Sequence, residues 1–238
     1  MIPIRDANPT RRIAVVTLAI VIACCVVFAW ELGLGAGSGD AALNRTIAAW
    51  GVVPARLTAA WARGDFLSGQ TLTLVTSQFL HGGWLHLLGN MLYLWIFGNN
   101  VEDRLGRVRF LLFYLAGGIL AGLAQVAVDP SSTSPTIGAS GAIAATLGAY
   151  LVFFPGARVT SLVFLGFFYQ LIKIPAAIVL GFWFVLQLVD GFASLGVAQS
   201  GGVAFFANIG GFVAGAVVAW LMTAARRGVR PSGPRSVG

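Results

Sequence analysis

Ser140 is the residue best placed for chemistry. It stands in Gly138-Ala139-Ser140-Gly141-Ala142 at the head of an apolar run, and a helix starting there leaves backbone N–H groups beside the hydroxyl without intrahelical acceptors. Such donors can hold an oxyanion, which makes Ser140 a candidate nucleophile for acyl transfer. The chain has two histidines, His81 and His86. His86 and Asn90 are four apart, hence on one helical face, and could add side-chain donors to the same oxyanion. Asn208 lies about a turn and a half into another apolar run. A plainer alternative stands beside this one: Ser140 caps its helix while His86 and Asn90 bond each other between helices. Gly-x-Ser-Gly alone is a weak signature, and it differs from the Gly-x-Ser-x-Gly elbow of soluble hydrolases, which needs a preceding strand.

The elements that must position these residues follow from composition. Of 238 residues, 58% are hydrophobic and 10% charged, with a mean hydropathy of +0.86. Soluble domains carry about 25% charge, so the chain is read as an all-α polytopic membrane protein. A spanning helix needs about 20 apolar residues, and six stretches qualify: 13–30, 84–101, 108–128, 138–154, 174–189 and 203–223. The first follows Arg5, Arg11 and Arg12 like a signal peptide, but its length and the lack of a clean cleavage site mark it as retained. Residues 1–12 read as a polar cytoplasmic tail, 13–227 as the membrane domain and 228–238 as a flexible tail. With both termini inside, twelve of the fifteen Lys and Arg residues face inward; only Arg45, Arg56 and Arg63, in the long outer loop 33–83, face outward. That asymmetry satisfies the positive-inside rule.

Two regions are irregular. The outer loop mixes Trp50, Pro54, Trp61 and Phe66 with scattered charges, a composition suited to interfacial helices. Residues 159–172 are apolar but short, and a seventh span there would put the C-terminal arginines outside; an interfacial or re-entrant inner loop is expected. The +7 charge lies in short clusters between apolar runs and not as a basic face with interleaved aromatics, which argues against nucleic acid as a partner. Cys24 and Cys25 are adjacent and read as core thiols. No metal or cofactor is implied.

This topology puts Ser140, His86, Asn90 and Asn208 at similar depth near the outer ends of three spans. Gly138, Gly141 and Gly148 on one span, and Gly210, Gly211 and Gly215 on the last, give small faces that let helix backbones approach. Gly118 and Gly122 make a further pair. At 17 residues the Ser140 helix spans roughly 25 Å, short of a core of about 30 Å, so the serine is expected below the outer surface.

The run from Phe79 to Asn90, with Phe97-Gly98, Val101-Glu102-Asp103-Arg104, the Ser140 motif and Ile209-Gly210-Gly211-Phe212, closely resembles the rhomboid family of intramembrane serine proteases. The resemblance implies a six-helix rhomboid bundle that cleaves transmembrane segments of other membrane proteins, in a bacterial inner or plasma membrane. It matches Ser140 to the nucleophile, His86 and Asn90 to the oxyanion side chains and His81 to a structural histidine. Glu102 and Arg104 match a polar anchor, and Gly138, Gly141 and Gly211 match motif glycines. One position departs: rhomboids place their catalytic histidine where this chain has Asn208. An amide has no titratable group near neutral pH and cannot take the serine proton. Two expectations follow, a rhomboid-type serine endopeptidase impaired at its base, or a rhomboid pseudoprotease that binds transmembrane clients without cutting them. Asp190, placed in a solvated loop, is a remote substitute for the base. A transporter or channel fits less well, because no span carries an Asp, Glu, Lys or Arg well inside it.

Overall fold

The computed structural model describes residues 2–165, 168–194 and 204–228. Four of its helices are long and apolar enough to cross a membrane: α1 (Val15–Ser38), α7 (Arg107–Val128), α9 (Ala176–Ala193) and Phe205–Ala225 of α10 (Phe205–Gly228). α8 (Ser140–Phe153) is apolar and shorter, about 21 Å long, and every residue from Gly141 to Tyr150 is buried. It is the central post of the bundle. The run 84–105 is continuous: α5 (Trp84–Tyr93) passes through a π-helical turn (Leu94–Gly98) into α6 (Asn99–Leu105). Gly98 sits in that turn, where a β-carbon would lie 2.9 Å from Leu94 Cδ1 and 3.3 Å from Thr17 of α1. The expected span start at Val203 and residues 229–238 of the expected tail lie outside the described residues.

Small residues let α8 and α10 meet backbone to backbone. A β-carbon on Gly211 would strike the Gly141 carbonyl, one on Gly215 the Ala145 carbonyl, and one on Gly148 the Phe212 carbonyl. Backbone cannot swing aside as a flexible side chain can. Gly215→Ala therefore has to push the two helices apart, and destabilisation of about 1–3 kcal/mol is expected, read as a lower thermal midpoint in detergent. Gly181→Ala on α9, where the new carbon would meet open space, is the control and should leave the midpoint unchanged. Gly118 and Gly122 face elsewhere: they approach Gln78 and Leu74, so that pair receives the folded outer loop.

The outer loop is helical, as its composition suggests: α2 (Asp40–Trp50), α3 (Pro54–Ala62), α4 (Gly69–Thr76) and a 3₁₀ turn (Ser77–Phe79). Val52, Leu57 and Leu74 pack on Val126 of α7 as a second small core. Three backbone contacts reach from this loop to the segment before α8. Val52 pairs with Thr136, Ala55 N–H donates to Ser132 O at 3.0 Å, and Gly138 N–H donates to Ser77 O at 2.9 Å.

At the opposite end of the bundle the expected inner segment is built as an antiparallel hairpin of β2 (Arg158–Leu165) and β3 (Phe168–Pro175). The polar N-terminal segment packs onto it: β1 (Ile2–Asp6) pairs antiparallel with β2 to make a three-stranded sheet, order β1-β2-β3. Alternation explains the strand: Val159 and Ser161 are fully buried against the bundle, two residues apart on one face. Side chains then fasten the N-terminal segment. Asn100 Nδ2 donates to Asp6 Oδ2 at 2.5 Å, Asn8 Nδ2 to the Tyr150 hydroxyl at 3.0 Å, and Arg11 N–H to Asp103 Oδ2 at 3.1 Å.

Candidate active site

Ser140 is the first residue of α8 and is half-buried. Helix geometry leaves its N–H and those of Gly141 and Ala142 without intrahelical acceptors, and its hydroxyl makes no hydrogen bond among the described residues. Gly138, two residues earlier, has φ +124, a conformation open mainly to glycine. A β-carbon there would also lie 2.7 Å from His86 Cε1 and Nε2 and 3.7 Å from Ser140 Oγ. The imidazole edge and the hydroxyl thus flank the space that the missing side chain leaves. Gly82 N–H donates to His86 Nδ1 at 3.4 Å. With Nδ1 accepting, the ring proton of neutral His86 sits on Nε2, the nitrogen facing the serine. In this tautomer the ring presents a donor, and no acceptor, at Nε2.

Asn90, one turn further along α5, is buried, and among the described residues its Nδ2 has no partner. Asn208 is buried on α10, and its Nδ2 donates to Gln187 Oε1 of α9 at 2.8 Å. Asn208 Oδ1 is buried and has no donor among the described residues. Gln125 Oε1 of α7 accepts from Ala207 N–H at 3.2 Å, fixing the first turn of α10. A β-carbon on Gly141 would lie 3.8 Å from Ala207 O, which brings the Ser140 end of α8 against the Asn208 end of α10. Sequence reading missed Gln187 and Gln125; isolated glutamines inside apolar runs were the available signal. Among the described residues no three His, Cys, Asp or Glu side chains gather as a metal site.

A model of the Rhomboid domain matches residues 68–225. The chain belongs to the rhomboid family. Among curated relatives, Rhomboid protease GluP of Bacillus subtilis (strain 168) is 46% identical over 83 residues, 35% of this chain and 16% of the relative. Rhomboid protein 1, mitochondrial, of Saccharomyces cerevisiae is 28% identical over 170 residues, 68% of this chain and 44% of the relative. Presenilin-associated rhomboid-like protein A, mitochondrial, of Danio rerio is 34% identical over 89 residues, 37% of this chain and 23% of the relative. The match spans less than half the length of each of these relatives. This rhomboid is an integral, multi-pass membrane protein.

In this rhomboid α1 is fastened to the rest of the bundle at two points. Near its start, Glu102 of α6 accepts Val16 N–H at 3.0 Å, Thr17 N–H at 2.7 Å and the Thr17 hydroxyl at 2.8 Å, supplying acceptors to the free N–H groups of the first turn. Near its far end, Glu31 Oε2 accepts the His81 N–H at 3.1 Å. α1 runs eight residues beyond the expected end of the span and buries the Glu31 side chain. Arg104 is exposed, its guanidinium 5.8 Å from the Phe153 ring centroid. Asp190 lies in the last turn of α9 and not in a loop, and it is exposed.

His81, in the turn before α5, packs against His86 with ring centroids 5.2 Å apart. Burial, and then the neighbouring His86, push its pKa down to about 4 from 6.5. In the unfolded chain the imidazole takes its proton near 6.5, so between there and about 4 the unfolded state binds the extra proton. The contribution of His81 to stability therefore falls as pH drops through that window. Acidification from neutral pH should lower the thermal midpoint of the native chain more than that of His81→Leu; equal losses would remove His81 as the cause.

Proposed function

We propose that this chain carries a rhomboid-type site for cleaving transmembrane segments, with Ser140 as nucleophile, and that the site is impaired or inactive because Asn208 occupies the base position. Rhomboid family proteins act on membrane-protein substrates within the bilayer. The observation that carries the reading is the unpaired Ser140 hydroxyl at the free N-terminus of α8, with His86 Nε2 beside it at Gly138. Attack by Oγ on a peptide carbonyl would develop an oxyanion within reach of backbone N–H groups at the start of α8, with His86 Nε2–H and Asn90 Nδ2 as side-chain donors. The serine proton has no destination. Asn208 Oδ1 can accept a hydrogen bond from the hydroxyl and orient it, but an amide oxygen does not ionise near neutral pH.

The second reading is a pseudoprotease that binds transmembrane clients, in a bacterial plasma membrane, without cutting them. The Asn208–Gln187 hydrogen bond favours it, because it engages the Asn208 amide in joining α10 to α9. Cleavage of a reporter transmembrane segment by the full chain in liposomes tests the proposal. Native protein should be indistinguishable from Ser140→Ala, while both photo-crosslink to the segment. Native turnover far above Ser140→Ala would contradict impairment, and failure of both to crosslink would contradict transmembrane recognition.

A further inference from the structure

At the end of the bundle opposite Ser140, the N-terminal segment and the α6–α7 corner enclose a cavity of about 530 Å³ lined by Asn8, Arg11, Arg12, Asp103, Arg104 and Arg109, among others. Four arginines and one carboxylate line it, and Asp103 Oδ2 is already engaged by the Arg11 N–H. Among the described residues none of the four arginines forms an ion pair. Asp6, the other nearby carboxylate, is occupied by Asn100 and Asn8. Four unneutralised cations around one hollow repel each other and call for an anion, and the planar guanidinium fork suits phosphate oxygens. The arrangement is held in place by the pairing of β1 with β2 and by the bonds from Asn8 and Arg11.

A second cavity of about 350 Å³ adjoins the first, sharing Arg12 and Asp103, and its walls include Ile13 and Val108 at the starts of α1 and α7. Ile13 is 78% and Val108 73% exposed. A basic hollow thus runs directly into apolar helix surface, which matches a charged head carrying acyl chains better than a small free ion. This end is also the one that the distribution of Lys and Arg assigns to the inner leaflet, where anionic lipids gather.

We propose that this arginine-lined cavity is a binding site for a phosphate group, presented by the headgroup of an anionic phospholipid whose chains lie along Ile13 and Val108. The proposal is independent of whether Ser140 is active.

The test uses the full chain reconstituted in phosphatidylcholine vesicles containing phosphatidylglycerol, then extracted and weighed by native mass spectrometry with its retained lipids. Native protein should retain phosphatidylglycerol over phosphatidylcholine, and Arg12→Gln/Arg109→Gln should lower that preference by about fivefold for each arginine removed. Arg45→Gln/Arg63→Gln, in the outer loop, removes the same charge elsewhere and should change nothing. A parallel arm titrates inorganic phosphate into native protein held in phosphatidylcholine alone. A rise in thermal midpoint there, absent in the Arg12/Arg109 variant, with no phosphatidylglycerol preference, would keep the phosphate site and assign it to a free anion. Neither a lipid preference nor a phosphate response in native protein overturns the proposal, whether or not the variant folds. Equal losses in the cavity and outer-loop variants overturn it as well.

Discussion

Asn208→His should raise cleavage of a reporter transmembrane segment by about 10²–10⁴-fold, the usual contribution of a positioned general base. Gln187 makes this a specific expectation. Its Oε1 accepts from Asn208 Nδ2 at 2.8 Å, and the same oxygen can accept the N–H of an imidazole at this position. That bond would fix the tautomer and leave the other ring nitrogen unprotonated, available to receive the Ser140 proton. Gln187→Leu in the same background should then lose part of the gain, because the ring is no longer held in one tautomer. The comparison is made by steady-state cleavage in liposomes, with Ser140→Ala added to each variant as the blank. No gain from Asn208→His would mean that the hydroxyl and position 208 are not in register.

Glu102→Ala should be the most damaging change to stability, by about 3–5 kcal/mol, the scale of two or three charge-assisted hydrogen bonds lost from a buried carboxylate. The three bonds from Val16 and Thr17 end on Glu102, and deletion leaves buried donors of the first turn of α1 without acceptors. Glu102→Gln keeps one oxygen but turns an NH₂ group toward an N–H, so it should fall between the two. Thermal unfolding in detergent checks this, with a midpoint drop of about 10 °C expected for the alanine variant. The consequence reaches the site through α1. Thr17 and Glu31 lie on the same helix, and Glu31 holds the backbone of His81, whose ring packs on His86. A drop of less than a few degrees would show that α1 is held mainly by apolar contacts such as Cys24 and Phe28.

The helices were legible because hydropathy and length act locally: the run ending at Val128 and the start of α8 lie within two residues of where sequence placed them. The small faces of α8 and α10 were legible for the same reason, since glycine spacing reports directly on how near two backbones can come. What stayed hidden depends on partners distant in the chain. Residues 2–6 become a strand only because residues 159–162 offer an edge, and nothing in the N-terminal sequence announces that partner. Glu31 falls just past the apolar run that ends at Trp30, yet the helix continues and tertiary packing buries its side chain. Gln187 illustrates the same limit at the site. Its contact with Asn208 joins two helices, and a lone glutamine carries no periodic signal.

Labelling by a serine-directed fluorophosphonate, with the adduct located by peptide mass spectrometry, tests most directly whether Ser140 is a nucleophile lacking its base. The expected result is no adduct on the native chain, a stoichiometric adduct on Ser140 in Asn208→His, and none in Asn208→His/Ser140→Ala. A strong Ser140 adduct on the native chain that disappears with His86→Ala would contradict it, because His86 would then be the base and Asn208 no defect at all.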